Sequence, residues 1–164
     1  MLDVKPFKMT PNLGLCGPAS LKIVLAYYGV EKSEDELAKM CKTTKGLGTK
    51  DIDIKAAAEK LGFKAVIKNN SDFKTVTTWL KAGVPVILDW FTTGRPEFAD
   101  VDVPGGHFSI AVGMDDRFIF LEDPEIGRTR RIEKNEFIRV WFDFPGWLIK
   151  RDELIIRQLI AIYK

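Results

Sequence analysis

The hydrophobic period of this chain changes along its length, from helical to strand-like, and that change limits the folds open to it. Leu21, Val24, Leu25 and Tyr28 recur at three- and four-residue spacing, which predicts a helix over Gly17–Tyr28. Pro18 stands near its start, where a missing N–H costs little, and Gly29 follows its end. Ser33 opens a capping box with Glu36, so a short helix through Cys41 follows. After a Thr-, Lys- and Gly-rich loop over Lys42–Gly48, Thr49 or Asp51 is expected to cap a helix reaching Leu61. Phe63–Lys68 reads as a strand, Asp72–Ala82 as a helix and Val84–Phe91 as a buried strand. Thr92–Gly106 is a long connection, of the kind that is often functional. His107–Met114 and Arg117–Glu122 predict a hairpin turning at Asp115-Asp116, followed by a strand at Thr129–Glu133 and a helix at Lys134–Val140. Glu153–Tyr163 fits either period. Helices first and an antiparallel sheet after them make an α+β pattern rather than an alternating βαβ one.

The 164 residues suffice for one domain with a core of its own, and no linker or repeat divides them, so residues 1–164 are expected to form a single unit. Twenty-five basic against 23 acidic side chains leave a formal charge of +2, which points to neither nucleic acid nor an anionic membrane as partner. No segment has the ~20 apolar residues of a membrane span, and Met1–Thr10 lacks the apolar stretch of a secretory signal. A cytoplasmic location is expected, with Cys16 and Cys41 as free thiols.

Three residues carry possible chemistry. Cys16 directly precedes the first predicted helix, where unpaired N–H groups favour a thiolate and can also receive an oxyanion. The alternative is a small buried core residue. His107, the chain's one histidine, starts a strand after Gly105-Gly106 and is the only imidazole available as a base. Otherwise it is an idle strand-end side chain. Asp123 ends the next strand. With the turn centred on Asp115-Asp116 it falls nearly opposite His107, close enough to hold the imidazole's tautomer, unless it merely starts the turn at Pro124. Together the three suit thiolate–imidazolium catalysis. Gly17, Gly105 and Gly106 leave room for a substrate backbone. Cys41 reads as structural. Two cysteines and one histidine make no usual tetrahedral zinc site without a carboxylate, and no phosphate loop is present, so neither metal nor cofactor is expected.

The stretch CGPASLKIVLAYYG from Cys16 resembles the active-site helix of the bacteriocin-processing, double-glycine-leader peptidases, a family of papain-like cysteine peptidases. KGLGTKDIDIKAAAEKLGF, WLKAGVPVIL, GHFSIAVGMDDRFIFLEDP and FIRVW are similar to successive segments of the same family, together covering most of residues 10–142. The resemblance implies a papain-like fold, N-terminal helices packed on a C-terminal antiparallel sheet. It implies peptide hydrolysis with Cys16 as nucleophile, His107 as proton shuttle and Asp123 as orienting group. The implied partner is a peptide or protein cut after small residues such as Gly-Gly. Two departures stand out. The family's oxyanion glutamine, six residues before the cysteine, is Thr10 here; Asn12 carries the same amide on a shorter stem and is expected to share the oxyanion site with Cys16. The 164 residues also hold no membrane segment and no nucleotide-binding motif, so a free-standing domain rather than one fused to a transporter is expected. A thiol acyl-transferase, a retired peptide-binding domain and a scaffold with an unreactive Cys16 remain open alternatives.

Overall fold

The computed structural model describes residues 1–11, 14–92, 105–145 and 153–164. Its helices are α1 (Cys16–Tyr27), α2 (Glu34–Met40), α3 (Asp51–Lys60), α4 (Phe73–Lys81) and α5 (Lys134–Val140). Its strands are β1 (Lys64–Lys68), β2 (Val86–Phe91), β3 (Gly106–Met114), β4 (Phe118–Asp123), β5 (Arg128–Glu133), β6 (Phe142–Asp143), β7 (Ile155–Ile156) and β8 (Leu159–Tyr163). Six of them form an antiparallel sheet in the order β1-β8-β2-β3-β4-β5, and β6 pairs with β7.

The sheet is apolar on both faces, and alternation along each strand sorts the side chains. Ile87, Phe108, Ile110, Ile160 and Ile162 join the core under α1, α2 and α3. Val86, Leu88, Ala111, Leu121, Leu159 and Ala161 join a second core with Val76 of α4 and Phe137 and Val140 of α5. The fold is thus α+β and papain-like, refined in one respect: α4 and α5 cover the far face of the sheet. The C-terminal stretch Glu153–Tyr163, whose period was ambiguous, holds the short β7 and then β8, a strand inserted between β1 and β2. Its residues Leu159–Ile162 are buried on both faces, which removes the alternation that marks a half-exposed strand.

Local signals set most helix ends. Ser33 and Glu36 form the expected capping box, and Asp72 caps α4 by accepting from the Thr75 N–H at 2.7 Å. Neither Thr49 nor Asp51 caps α3: the N-cap is Lys50, and the Thr49 hydroxyl instead bonds Thr43 at 2.7 Å and the Gly14 carbonyl at 3.3 Å. The loop before α3 is thereby tied to the chain just ahead of α1.

The β3–β4 hairpin carries a bulge between Ala111 and Gly113 that shifts its register. Ile110 pairs with Glu122, so the ladder continued toward the open end sets Asp123 against Ser109 rather than against His107. The turn itself is centred one residue later than Asp115-Asp116, since Met114 pairs with Ile119, and the bulge takes back one residue of that offset, which puts Asp123 on the same face as His107.

Candidate active site

Helix α1 begins at Cys16 with no side-chain cap on its first turn. Of the opening N–H groups, Pro18 contributes none, while those of Cys16 and Gly17 have no acceptor within the helix. The Cys16 thiol, 8% exposed, sits at this electropositive end. Burial of nearly the whole of α1 holds it there, and one bond sets its distance from the sheet. Ser20, one turn beyond Cys16, donates from Oγ to the Phe108 carbonyl at 3.1 Å, and both residues are buried. Phe108 follows His107, so this bond ties the first turns of α1 to the strand that carries the imidazole.

His107 is fully buried, edge-on to Trp90 with ring centres 5.7 Å apart. Its Nε2 and Asp123 Oδ1 are 2.8 Å apart. The two lie on the same sheet face two residues out of direct register, a diagonal pair that an imidazole and a carboxylate can still bridge. Asp123 Oδ1 also accepts from the Glu125 N–H at 2.9 Å, and Oδ2 accepts from Arg130 Nε at 2.8 Å. Burial alone would raise the Asp123 carboxyl; His107, Arg130 and the Glu125 N–H outweigh it and bring it down to about 2. Burial alone would lower the imidazole; Asp123 and the Cys16 thiol outweigh that and hold His107 well above its ordinary value. With Nε2 on Asp123, Nδ1 is the nitrogen left for the thiol. The thiol interacts with the ring, although no well-aligned bond to Nδ1 is formed. Such bonds are often loose before substrate arrives.

Cys16, His107 and Asp123, far apart in the chain, are therefore brought together. Asn12 lies outside the described residues. Gly17 is buried against Thr49: a Cβ there would stand 2.7 Å from the Thr49 Cβ. Gly106 is covered by Asp143, whose Oδ2 would be 1.8 Å from an added Cβ. Gly105, at φ +103°, adopts a backbone that favours glycine and faces the Phe91 ring. Cys41 is fully buried, and burial with Asp53 nearby pushes its thiol up to about 12.

Sequence reasoning missed Arg130, Glu125 and Ser20. Arg130 was findable: it stands two residues before the inward-facing Ile132 of β5, so strand alternation turns it inward as well. Ligand atoms of His107, Asp123 and Glu125 lie within 4.8 Å of one another, the spacing of a metal site. Three protein donors already occupy Asp123, however, and the Arg130 guanidinium supplies the positive charge.

Residues 1–145 match the model of the Peptidase C39 like family. An uncharacterized protein of Methanothermobacter marburgensis is 29% identical over 138 residues, covering 84% of this chain and 83% of its own. Among solved structures, the peptidase domain of Streptococcus ComA, a bi-functional ABC transporter involved in a quorum-sensing pathway, superposes with a TM-score of 0.72 at 23% identity, over 98% of each chain. A double glycine motif protease from an AMS/PCAT transporter, solved in complex with the leader peptide, superposes at 0.67 and 22% identity over 97% of this chain and 91% of that one. The N-terminal peptidase C39 like domain of a toxin secretion ATP-binding protein from Vibrio parahaemolyticus gives 0.62 at 16% identity, over 94% and 99%. At these identities the structural likeness is one of fold.

Proposed function

The chain belongs to the peptidase C39-like family, and on that premise we propose that it is a cysteine peptidase whose nucleophile is Cys16, with His107 as acid–base and Asp123 as the orienting group. The observation that carries this reading is the buried Asp123–His107 bond aimed at a thiol on a helix N-terminus. His107 Nδ1 takes the Cys16 proton, and the raised basicity of the imidazole favours the ion pair. The thiolate attacks a peptide carbonyl, and the oxyanion meets the Cys16 backbone N–H and the Asn12 amide. His107 then returns its proton to the leaving amine, and water, or an acceptor amine in acyl transfer, releases the acyl group. The relative described as a double glycine motif protease supports a peptide substrate cut after small residues. We also read residues 1–164 as one domain, since β8 near the C-terminus lies inside the sheet. A cytoplasmic location completes this reading; no helix among the described residues is long and apolar enough to cross a membrane.

A second reading, a peptide-binding domain that no longer cuts, is favoured by one observation. Thr10 replaces the glutamine, and its backbone N–H is held by Glu34 at 3.2 Å. The chain's one glutamine, Gln158, cannot substitute: both hydrogens of its Nε2 are engaged, on Asp51 Oδ2 at 2.8 Å and Asn69 Oδ1 at 2.9 Å. Iodoacetamide alkylation across pH separates the readings. Cys16 should react in mildly acidic buffer, and His107→Ala should abolish this; Cys41, buried and with its thiol at about 12, should stay silent. Alkylation of Cys16 no faster than that of Cys41 would sink the peptidase.

A further inference from the structure

The sheet face beneath α1 carries a cluster of acidic side chains near Cys16, termed the acidic recess, that the hydrolytic mechanism does not use. Asp89 of β2 is 3% exposed and lies close enough to Cys16, Asp51 and Asp143 for all three to act on its charge. Among the described residues no Lys or Arg pairs with Asp51, Asp89 or Asp143. Asp89 and Asp143 are linked carboxyl to carboxyl, so one of them must keep a proton to donate. Burial first, and each carboxyl's charge on the other, raise Asp89 well above the ordinary carboxylate range.

A second observation comes from a neutral side chain. Gln158 continues the β2–β8 ladder opposite Asp89, whose N–H lies 3.4 Å from the Gln158 carbonyl. Gln158 is 1% exposed. Its Nε2 is engaged with Asp51 and Asn69, while its Oε1, like Asp89 Oδ1, is buried without a hydrogen-bond donor. Two adjacent buried acceptors and three carboxyls lacking a cation are costly unless something supplies N–H groups and positive charge. An ammonium or guanidinium supplies both. A single metal ion fits less well: the group of close-lying ligand atoms found among the described residues is His107, Asp123 and Glu125, and not these three aspartates.

The recess adjoins the reacting centre. Asp143, only half-buried, lies over Gly106, the residue before His107. Its neighbour Phe142 stacks on Phe91 at 5.3 Å, and both rings are partly exposed, an apolar wall of the kind that suits an aliphatic stem. We propose that this recess binds the cationic side chain of a lysine or arginine in the peptide, adjacent to the bond that Cys16 attacks. The proposal rests on the cysteine-peptidase reading and adds a charge requirement to it: a small residue at the cut and a basic residue beside it.

The test uses quenched fluorescent Gly-Gly-containing peptides, each position flanking the bond filled in turn by Lys, norleucine, Arg or citrulline. At one position kcat/KM should favour Lys over norleucine and Arg over citrulline by about tenfold to a hundredfold, the scale of charge-assisted hydrogen bonds. In Asp143→Asn, at the half-buried end of the pair, that ratio should fall toward one, and Asp89→Asn should repeat the result if it folds. In Cys16→Ala, which binds without cutting, anisotropy should show the same preference. Cleavage with a ratio of one everywhere would overturn the recess and leave the peptidase standing. Absence of cleavage, with Cys16→Ala still preferring Lys peptides through Asp143, would leave the recess and overturn the peptidase. Failure of Cys16→Ala to bind any peptide, or stoichiometric calcium or magnesium binding lost in Asp143→Asn, would overturn the recess.

Discussion

Replacing Asp123 by Asn keeps the side chain's shape and removes its charge, and the cost should depend on pH in a way the geometry dictates. A carboxyl lowered from 3.8 to about 2 on folding contributes about 2 kcal/mol of stability. Both Asp123 and its partner His107 are inaccessible to solvent, so screening reduces this little. The contribution is present above 3.8 and is lost as pH falls through about 2. His107 runs the other way: an imidazole raised on folding contributes fully below 6.5, and the contribution is lost as pH climbs through its folded value. The gap between wild type and Asp123→Asn should therefore be widest between about pH 4 and 6.5, on the order of 2 kcal/mol, and should narrow toward acid. The loss of one Arg130 partner adds to it. Urea unfolding followed by tryptophan fluorescence reads this gap directly, with Trp90 against the imidazole as reporter. A gap that stays constant from about pH 3 to pH 9, or is under about 1 kcal/mol near pH 5, would refute the coupling of Asp123 to His107. The same variant should cut peptide hydrolysis by about 10⁴-fold, as loss of the orienting carboxylate does in other triads.

Two further substitutions probe how the site is held. Ser20→Ala deletes the 3.1 Å bond to the Phe108 carbonyl and leaves that buried acceptor unpaired, at about 1–3 kcal/mol; Cys16 alkylation should slow as well, and an unchanged rate would show that this bond does not set the thiol–imidazole distance. Gly17→Ala drives a Cβ to 2.7 Å from the Thr49 Cβ and should cost about 1–3 kcal/mol, with partial recovery in Gly17→Ala/Thr49→Ala; a strictly additive cycle would place the strain elsewhere.

The helix ends were legible because they depend on atoms a few residues apart. Ser33 with Glu36, Asp72, and glycines 29, 62 and 83 at positive φ act within one turn of chain, so their spacing in the sequence is already their geometry. Cys16 at the start of α1 was legible for the same reason. The expected caps Thr49 and Asp51 failed because Thr49 had a better offer from Thr43 and Gly14, partners that only the folded loop brings near. The ambiguity over Glu153–Tyr163 was physical in its second half: β8, buried on both faces, has no polar side to betray its period.

By itself the sequence determined the α+β order and most of the local caps, and it singled out Cys16, His107 and Asp123 as one candidate set, since each rests on neighbours along the chain or on a pattern of residue types. Only the tertiary structure decided that a bulge between Ala111 and Gly113 puts Asp123 on the face of His107, that Arg130 and the Glu125 N–H hold the carboxylate, and that Asp89, opposite Gln158 on β8, meets Asp143 near the thiol. These depend on register and on which strand lies next to which. The burial of apolar faces in two cores sets that neighbourhood, and no single segment carries it.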